Sequence, residues 1–265
     1  MSRCVLIVIG VAVLFATGFA QQSDAPQRGG SLQLFLLVGQ SNMAGRGKVE
    51  PQDAVPIARV LMLDKQRTWV PAIDPMHFDK PIAGVGLGRA FAARIAAAGP
   101  HVTIGLIPAA VGGSPIDAWQ PGVYYEPTRS HPWDDAIARA RAAQPSGTLQ
   151  AVLWHQGESD ATAELAPAYE AKLHDLIARI RVALDAPDVP FIVGQLGQFP
   201  DVPWDGPRRT VDTAHRTLPG KVRRTAFVSS EGLVHGDDKV HFDSASLREF
   251  GRRYAEAYLS LSGRP

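Results

Sequence analysis

Cysteine is almost absent: Cys4 is the single thiol in 265 residues. One cysteine builds no disulfide framework, and its place at the N-terminal edge leaves the rest of the chain without a thiol nucleophile. It precedes the apolar stretch that follows instead of closing it, so it does not read as a lipidation site. An excess of either charge is missing too. With 27 Lys and Arg against 26 Asp and Glu, nothing in the bulk charge argues for nucleic acid or an anionic membrane, and a neutral substrate is the better expectation. No cluster of His, Cys and carboxylates has metal-ligand spacing, so neither metal nor cofactor is expected. Gly84-Val-Gly-Leu-Gly88 is spaced G-x-G-x-G instead of G-x-G-x-x-G, which argues against a dinucleotide loop. Fixed-period repeats and a second composition regime are likewise absent, and the chain reads as one domain.

What is present starts with an address. Met1-Ser-Arg3, the apolar run to Phe15, and Gly18 and Ala20 at the −3 and −1 positions of a cut after Ala20 read as a secretory signal peptide over residues 1–20. The run is short of the roughly 20 apolar residues of a membrane span. The expectation is therefore a secreted or periplasmic protein with no membrane attachment after cleavage. Residues 21–31 are polar and rich in Pro and Gly, a linker, and residues 32–265 form the folded domain.

Within that domain short apolar runs alternate with helical patterns. Strands are expected at Leu34–Val38, Arg59–Asp64, Val102–Ile107, Gln150–Trp154, Phe191–Leu196 and Thr225–Ser230. Helices are expected at 89–98, 133–143, from Ala168, within 204–217, and from Ser244, where Leu247, Phe250, Tyr254, Ala255 and Tyr258 make one face. Thr68 to His77 reads as a surface excursion with a solvated His77. Strands alternating with helices imply an α/β class, three α/β/α layers around a mostly parallel sheet.

The chemistry gathers at the strand ends. The first strand stops in Gly39-Gln-Ser-Asn-Met43, and a serine at such a corner faces the crevice where open α/β sheets bind ligands, although Ser41 is also a favoured helix cap. The motif lacks the second glycine of the G-x-S-x-G elbow, against an ordinary α/β-hydrolase. Gly112-Gly113 follows a strand directly and lets backbone N–H groups turn towards a ligand. Trp119, Tyr124 and Tyr125 suit sugar stacking or plain packing. His155-Gln-Gly-Glu-Ser-Asp160 crowds polar groups onto another strand end. Asp238-Lys-Val-His241 supplies a base and an orienting carboxylate for a serine nucleophile, with His155 and His235 as rival bases and Asp237 as a rival partner.

Taken together and in this order, Gly39-Gln-Ser-Asn-Met43, Gly112-Gly113-Ser114 with Trp119, Trp154-His-Gln-Gly-Glu-Ser-Asp160 and Asp238-Lys-Val-His241 resemble the SGNH/GDSL hydrolase superfamily. Within it they are similar to the sialate O-acetylesterase-like branch that includes the acetylxylan esterases of carbohydrate esterase family six. The resemblance implies a flavodoxin-like fold and deacetylation of sugars through a serine acyl-enzyme. It implies Ser41 as nucleophile, His241 as base and then acid, and Asp238 as its orienting partner. The oxyanion donors it implies are the N–H groups of Ser41 and Gly113, preferred over Gly112, and the side-chain amide of Gln156. Gln40, Asn42 and Trp119 are the expected substrate-binding residues, acetylated carbohydrate the expected partner, and Glu158 and Asp160 are expected to hold their loop by hydrogen bonds. Other readings are an esterase for other small acyl esters, a non-catalytic carbohydrate-binding module, and a metal-dependent hydrolase using His155, Asp160 and His235.

Overall fold

Strand β1 (Leu32–Gly39) is buried on both sides, and its alternation divides the core in two. Leu34, Leu36 and Val38 face one cluster, Phe35 and Leu37 the other. A strand apolar on both faces belongs in the middle of a covered parallel sheet. β1 is indeed the fourth of seven strands in the order β3-β2-β4-β1-β5-β6-β7. The others are β2 (Val60–Leu63), β3 (Trp69–Pro71), β4 (Ile104–Pro108), β5 (Gly147–His155), β6 (Phe191–Gly194) and β7 (Thr225–Val228). All neighbours pair parallel except β2 and β3. The three residues of β3 fall where the sequence reads as a surface excursion, because a strand that short carries no periodicity. The computed structural model describes Met1 and residues 32–263, so the expected signal peptide and linker lie outside the described residues apart from Met1.

Helices cover both faces. On one side lie α3 (Pro132–Ala143), α4 (Tyr169–Ala183) and α5 (Gly206–Lys221), packed on Leu34, Leu36, Val152, Trp154 and Phe191. On the other lie α2 (Gly88–Ala98) and α6 (Ser244–Ser262). The five residues expected to form the α6 stripe are all buried, and each large side chain so buried contributes about 1.5–3 kcal/mol. Among the described residues no helix is long and apolar enough to cross a membrane. With β1, β2, β4, β5, β6 and β7 parallel, the loops that follow them share one rim, and every functional candidate lies on it.

Candidate active site

The rim is organised at the end of β1. Gly39 has φ +127°, and a Cβ there would lie 2.1 Å from the His155 carbonyl oxygen, so only glycine lets β1 close on β5 while turning sharply. The chain then enters α1 (Ser41–Ala44), a single turn whose four residues are all buried. Ser41 occupies its first position; Gln40 precedes it as the cap residue, and no side chain caps the turn. The serine is 7% exposed, enough to leave its hydroxyl at the crevice surface.

Two hundred residues later the loop between β7 and α6 comes back to that hydroxyl. Ser41 Oγ lies 2.8 Å from His241 Nε2, and His241 Nδ1 lies 2.5 Å from Asp238 Oδ2. The serine O–H donates to Nε2 while Nδ1–H donates to the carboxylate, which sets the tautomer a base needs. Asp238 Oδ1 accepts the N–H groups of Val240 and His241 at 2.9 and 2.8 Å. Burial pulls the Asp238 pKa upwards, but the His241 N–H, the His241 ring and the Val240 N–H outweigh it and hold the value at about 2. The carboxylate is therefore ionised at any pH where the imidazole can act as a base. Beside this pair a cleft of about 450 Å3 opens between Arg46, His235, Asp238 and His241.

Across the crevice stands the turn after β4. Gly112 N–H donates to Asp79 Oδ2 at 2.8 Å, and that carboxylate is also held by Arg46 Nη2 at 2.7 Å. The Gly113 N–H has no partner among the described residues, and its φ of +83° is a left-handed backbone. The Tyr125 hydroxyl donates to Gly113 O at 2.7 Å and the Ser159 hydroxyl at 2.9 Å, fixing the Gly113–Ser114 peptide that follows.

Residues 31–260 match the family model described as carbohydrate esterase, sialic acid-specific acetylesterase. The chain belongs to that family. A probable carbohydrate esterase of Arabidopsis thaliana is 31% identical over 249 residues, 86% of this chain and 90% of the relative. The 1.6 Å X-ray structure of an Arabidopsis thaliana protein superposes with a TM-score of 0.77 at 30% identity, covering 87% of this chain and 99% of that one. A carbohydrate acetylesterase from Xanthomonas citri shares the fold at a TM-score of 0.66 and 21% identity, covering 88% of this chain and 57% of that one.

Against the expectations from sequence, the esterase brings Ser41, His241 and Asp238 into contact and leaves the Gly113 N–H unengaged among the described residues, but turns four other candidates inward. Trp119 is 1% exposed, its indole N–H donates to Ser114 Oγ, and its ring packs edge-on against Trp154 at 5.2 Å. No face of it is left for a sugar. Gln156 is fully buried with both amide hydrogens engaged, one on Ser114 O at 3.2 Å and one on Asp160 Oδ2 at 2.5 Å, while its own oxygen accepts from Tyr169. Neither hydrogen remains for an oxyanion. Gln40 is buried and accepts the N–H groups of Gly157 and Ser159 at 3.3 Å, and Asn42 is buried between strands and loops. Both brace the site from below instead of lining it.

The rival histidines are committed elsewhere. His155 is fully buried against Phe242 and Phe250, and His235 pairs with Asp201 at 2.9 Å. His77, expected in solvent, is buried, and its Nδ1 accepts the Ala110 N–H at 3.3 Å; burial drives its pKa down to about 3. Glu158 and Asp160 do hold their loop: Glu158 Oε1 accepts from Asn42 at 2.7 Å, and Asp160 accepts from Ile116 N–H and Gln156. Burial raises the Glu158 pKa, but the His155 ring 3.5 Å away and the Asn42 amide bring it down to about 2. The buried Arg46–Asp79 pair was not found from sequence, because 33 residues of loop separate its members and neither stands in a motif.

Proposed function

We propose that the chain is a secreted serine esterase that removes O-acetyl groups from carbohydrates through an acyl-enzyme. Ser41 Oγ attacks the acetyl carbonyl as His241 Nε2 takes its proton, and Asp238 stabilises the imidazolium that results. His241 then returns the proton to the sugar oxygen as the C–O bond breaks. In the second half water attacks the acetyl-serine with the same base, releasing acetate. Negative charge on the carbonyl oxygen is received by the backbone N–H groups of Ser41 and Gly113, donors fixed before the reaction and therefore free of reorganisation cost. The observation that carries this reading is the unbroken run of 2.8 and 2.5 Å contacts from Ser41 through His241 to Asp238, with Gly113 N–H unengaged across the crevice. The N-terminal charge, apolar run and small residues before position 20 support export.

Acetate release from a panel of acetylated glycans and from 4-nitrophenyl acetate tests the reading. Ser41→Ala and His241→Ala are each expected to lower kcat by about 10^4-fold or more without unfolding the chain. A serine-reactive phosphonate is expected to label Ser41 alone. Native turnover in Ser41→Ala would overturn the mechanism, and sugar binding without labelling or acetate release would assign the fold to a binding module.

A further inference from the structure

The turn that carries Gly113 is anchored by side chains where a neighbouring strand would otherwise serve. Alternate residues of an inner strand address opposite neighbours, and the N–H groups of Ala109 and Val111 prolong β4 along β1, bonding Leu37 O and Gly39 O at 2.9 Å. The N–H groups of Ala110 and Gly112 turn to the other side, where β2 has already ended at Leu63. Both residues are buried, so these donors need acceptors from elsewhere. His77 Nδ1 takes Ala110 N–H at 3.3 Å, and Asp79 Oδ2 takes Gly112 N–H at 2.8 Å. Residues 77–79 thus stand in for a strand, with side-chain acceptors in place of carbonyls.

An anionic acceptor brings a charge with it, and Arg46 balances that charge. Its Nη2 donates to the same Asp79 oxygen at 2.7 Å, with only 5% and 1% of the two side chains exposed. Its Nη1 donates to Gly45 O at 2.7 Å, and Gly45 N–H closes α1 on Ser41 O at 2.8 Å. One guanidinium therefore ties the turn of Ser41 to the turn of Gly113 through the carboxylate between them. Arg46 also lines the cleft shared with Asp238 and His241. A Cβ on Gly112 would lie 2.2 Å from Arg46 Nη2 and 2.6 Å from Asp79 Oδ2, so the ion pair packs directly on the Gly112 backbone.

The pair selects between two adjacent amides. From Val111 to Ser114, Gly112 N–H is closed by Asp79 and Ser114 N–H by Val111 O at 3.2 Å. Gly113 N–H is left open among the described residues, and Gly113 is partly exposed where Gly112 is buried.

We infer that Asp79 and Arg46 are positioning residues for ester cleavage: Asp79 fixes the turn so that Gly113 N–H, and not Gly112 N–H, meets the acetyl carbonyl oxygen, and Arg46 cancels the charge that the carboxylate would set against the developing oxyanion. The inference rests on the esterase reading for the oxyanion and on the hydrogen bonds alone for the anchoring of the turn. An unbalanced carboxylate one residue from the donor would oppose the negative charge that the donor receives, and in a buried site that opposition is weakly screened.

Steady-state hydrolysis of 4-nitrophenyl acetate by the native chain, Asp79→Ala, Asp79→Asn, Arg46→Met and Arg46→Met/Asp79→Asn tests it. Asp79→Ala is expected to lower kcat on the order of 100-fold with KM within about threefold, the pattern of a misplaced group and not of lost binding. Asp79→Asn keeps an oxygen for Gly112 N–H and should lose about tenfold or less. Arg46→Met leaves the carboxylate unbalanced and should lose more than Asp79→Asn, and adding Asp79→Asn to it should recover kcat by about tenfold. Lost packing alone gives no such recovery. Native kcat in Asp79→Ala, a loss confined to KM, or a double variant no faster than Arg46→Met overturns the inference. Where Asp79→Ala does not fold, the comparison of Arg46→Met with the double variant decides.

The Gly112 amide proton resonance reads the anchoring without activity. A bond to a carboxylate moves that proton downfield, so the resonance should shift upfield in Asp79→Ala and stay near its native position in Asp79→Asn. A resonance unmoved in Asp79→Ala overturns the inference even where kcat falls. A native chain that releases no acetate overturns the esterase reading and the choice of oxyanion donor with it, while the Gly112 shift would still support Asp79 as the anchor of the turn.

Discussion

The serine and the histidine of this site are held in opposite ways. Ser41 sits on a buried turn welded to the central strand: Gln40 N–H bonds His155 O, Val111 N–H bonds Gly39 O, and every residue of α1 is enclosed. His241 and Asp238 stand on an exposed loop with few internal contacts, chiefly Gly236 N–H on His241 O and Asp243 N–H on Val234 O. The side chain of Asn42 ties the loose half to the rigid one, beside Phe242, whose ring is buried against His155 and Phe250. The Asn42 oxygen accepts the Phe242 N–H at 3.1 Å and its amide donates to Val240 O at 3.3 Å, flanking His241 on both sides. The same amide binds the ionised Glu158. The neighbour of Ser41 therefore positions His241, and precision on the exposed side is borrowed from the buried side.

Removing that link is the most damaging way to break the comparison. Asn42→Ala frees the loop at both flanks of His241 and leaves Glu158 with one partner fewer. Displacing a catalytic group by about 1 Å costs on the order of 100-fold in rate, so kcat is expected to fall by about that much with KM little changed. Stability should drop by about 1–3 kcal/mol from the unsatisfied buried groups, read by denaturant unfolding. A variant within threefold of native kcat would mean that the loop positions itself.

This division also explains what was legible beforehand. The central strand, the α6 stripe and the four polar strand ends could be read because periodicity and turn residues are local. The serine, histidine and aspartate could be read because their chemistry limits which residue types serve. Burial direction is not local. Trp119 in an aromatic-rich loop reads equally as a sugar platform or as core, and only the packing of Trp154 beneath it decides. Gln156 stands at the position expected of an oxyanion donor, but Asp160 four residues on takes its hydrogen. Net charge is likewise blind to placement: a whole-chain balance of 27 against 26 says nothing of Lys65, Arg67, Arg129 and Arg139 meeting around one cavity.

The rigid half carries a cost of its own, which sharpens the comparison. Asp74, in the loop after β3, is buried beside Asp53, Arg89 and Arg248, and its Oδ1 has no partner. Burial first and the charge of Asp53 second raise its pKa to about 7. Unfolded, the same carboxyl titrates near 3.9. Between those values the folded state holds a proton that the unfolded chain has released, so stability declines as pH rises from about 4 to about 7. The three-unit shift sets a ceiling of about 4 kcal/mol on the loss. Asp74→Asn, which mimics the protonated form, is expected to gain most of that at pH 8 and almost nothing at pH 4. Urea unfolding at both values checks it, and an unchanged pH slope in the variant would remove Asp74 as the cause.

The loose half has a charged tether besides Asn42, and it is the weaker of the two. Asp201 accepts from His235 Nε2 at 2.9 Å and from Lys239 at 3.1 Å, tying the His241 loop to the loop after β6. The other ring nitrogen of His235 faces Gly236 O, so both nitrogens meet acceptors and the charged ring fits best. Its pKa is raised accordingly, by Gly236 O first and Asp201 second. A raised histidine pKa means that the tether is complete below the unfolded value near 6.5 and weakens as pH climbs through the folded value, leaving Lys239 as the remaining partner. Exposed ion pairs of this kind are weak, so Asp201→Asn should lower kcat only about two- to fivefold at pH 6. The ratio of variant to native should move towards one as pH rises through the folded-state pKa of His235 and its ring loses its charge. A deficit that stayed constant as pH rises would show that Asp201 acts on the loop through Lys239 and not through His235.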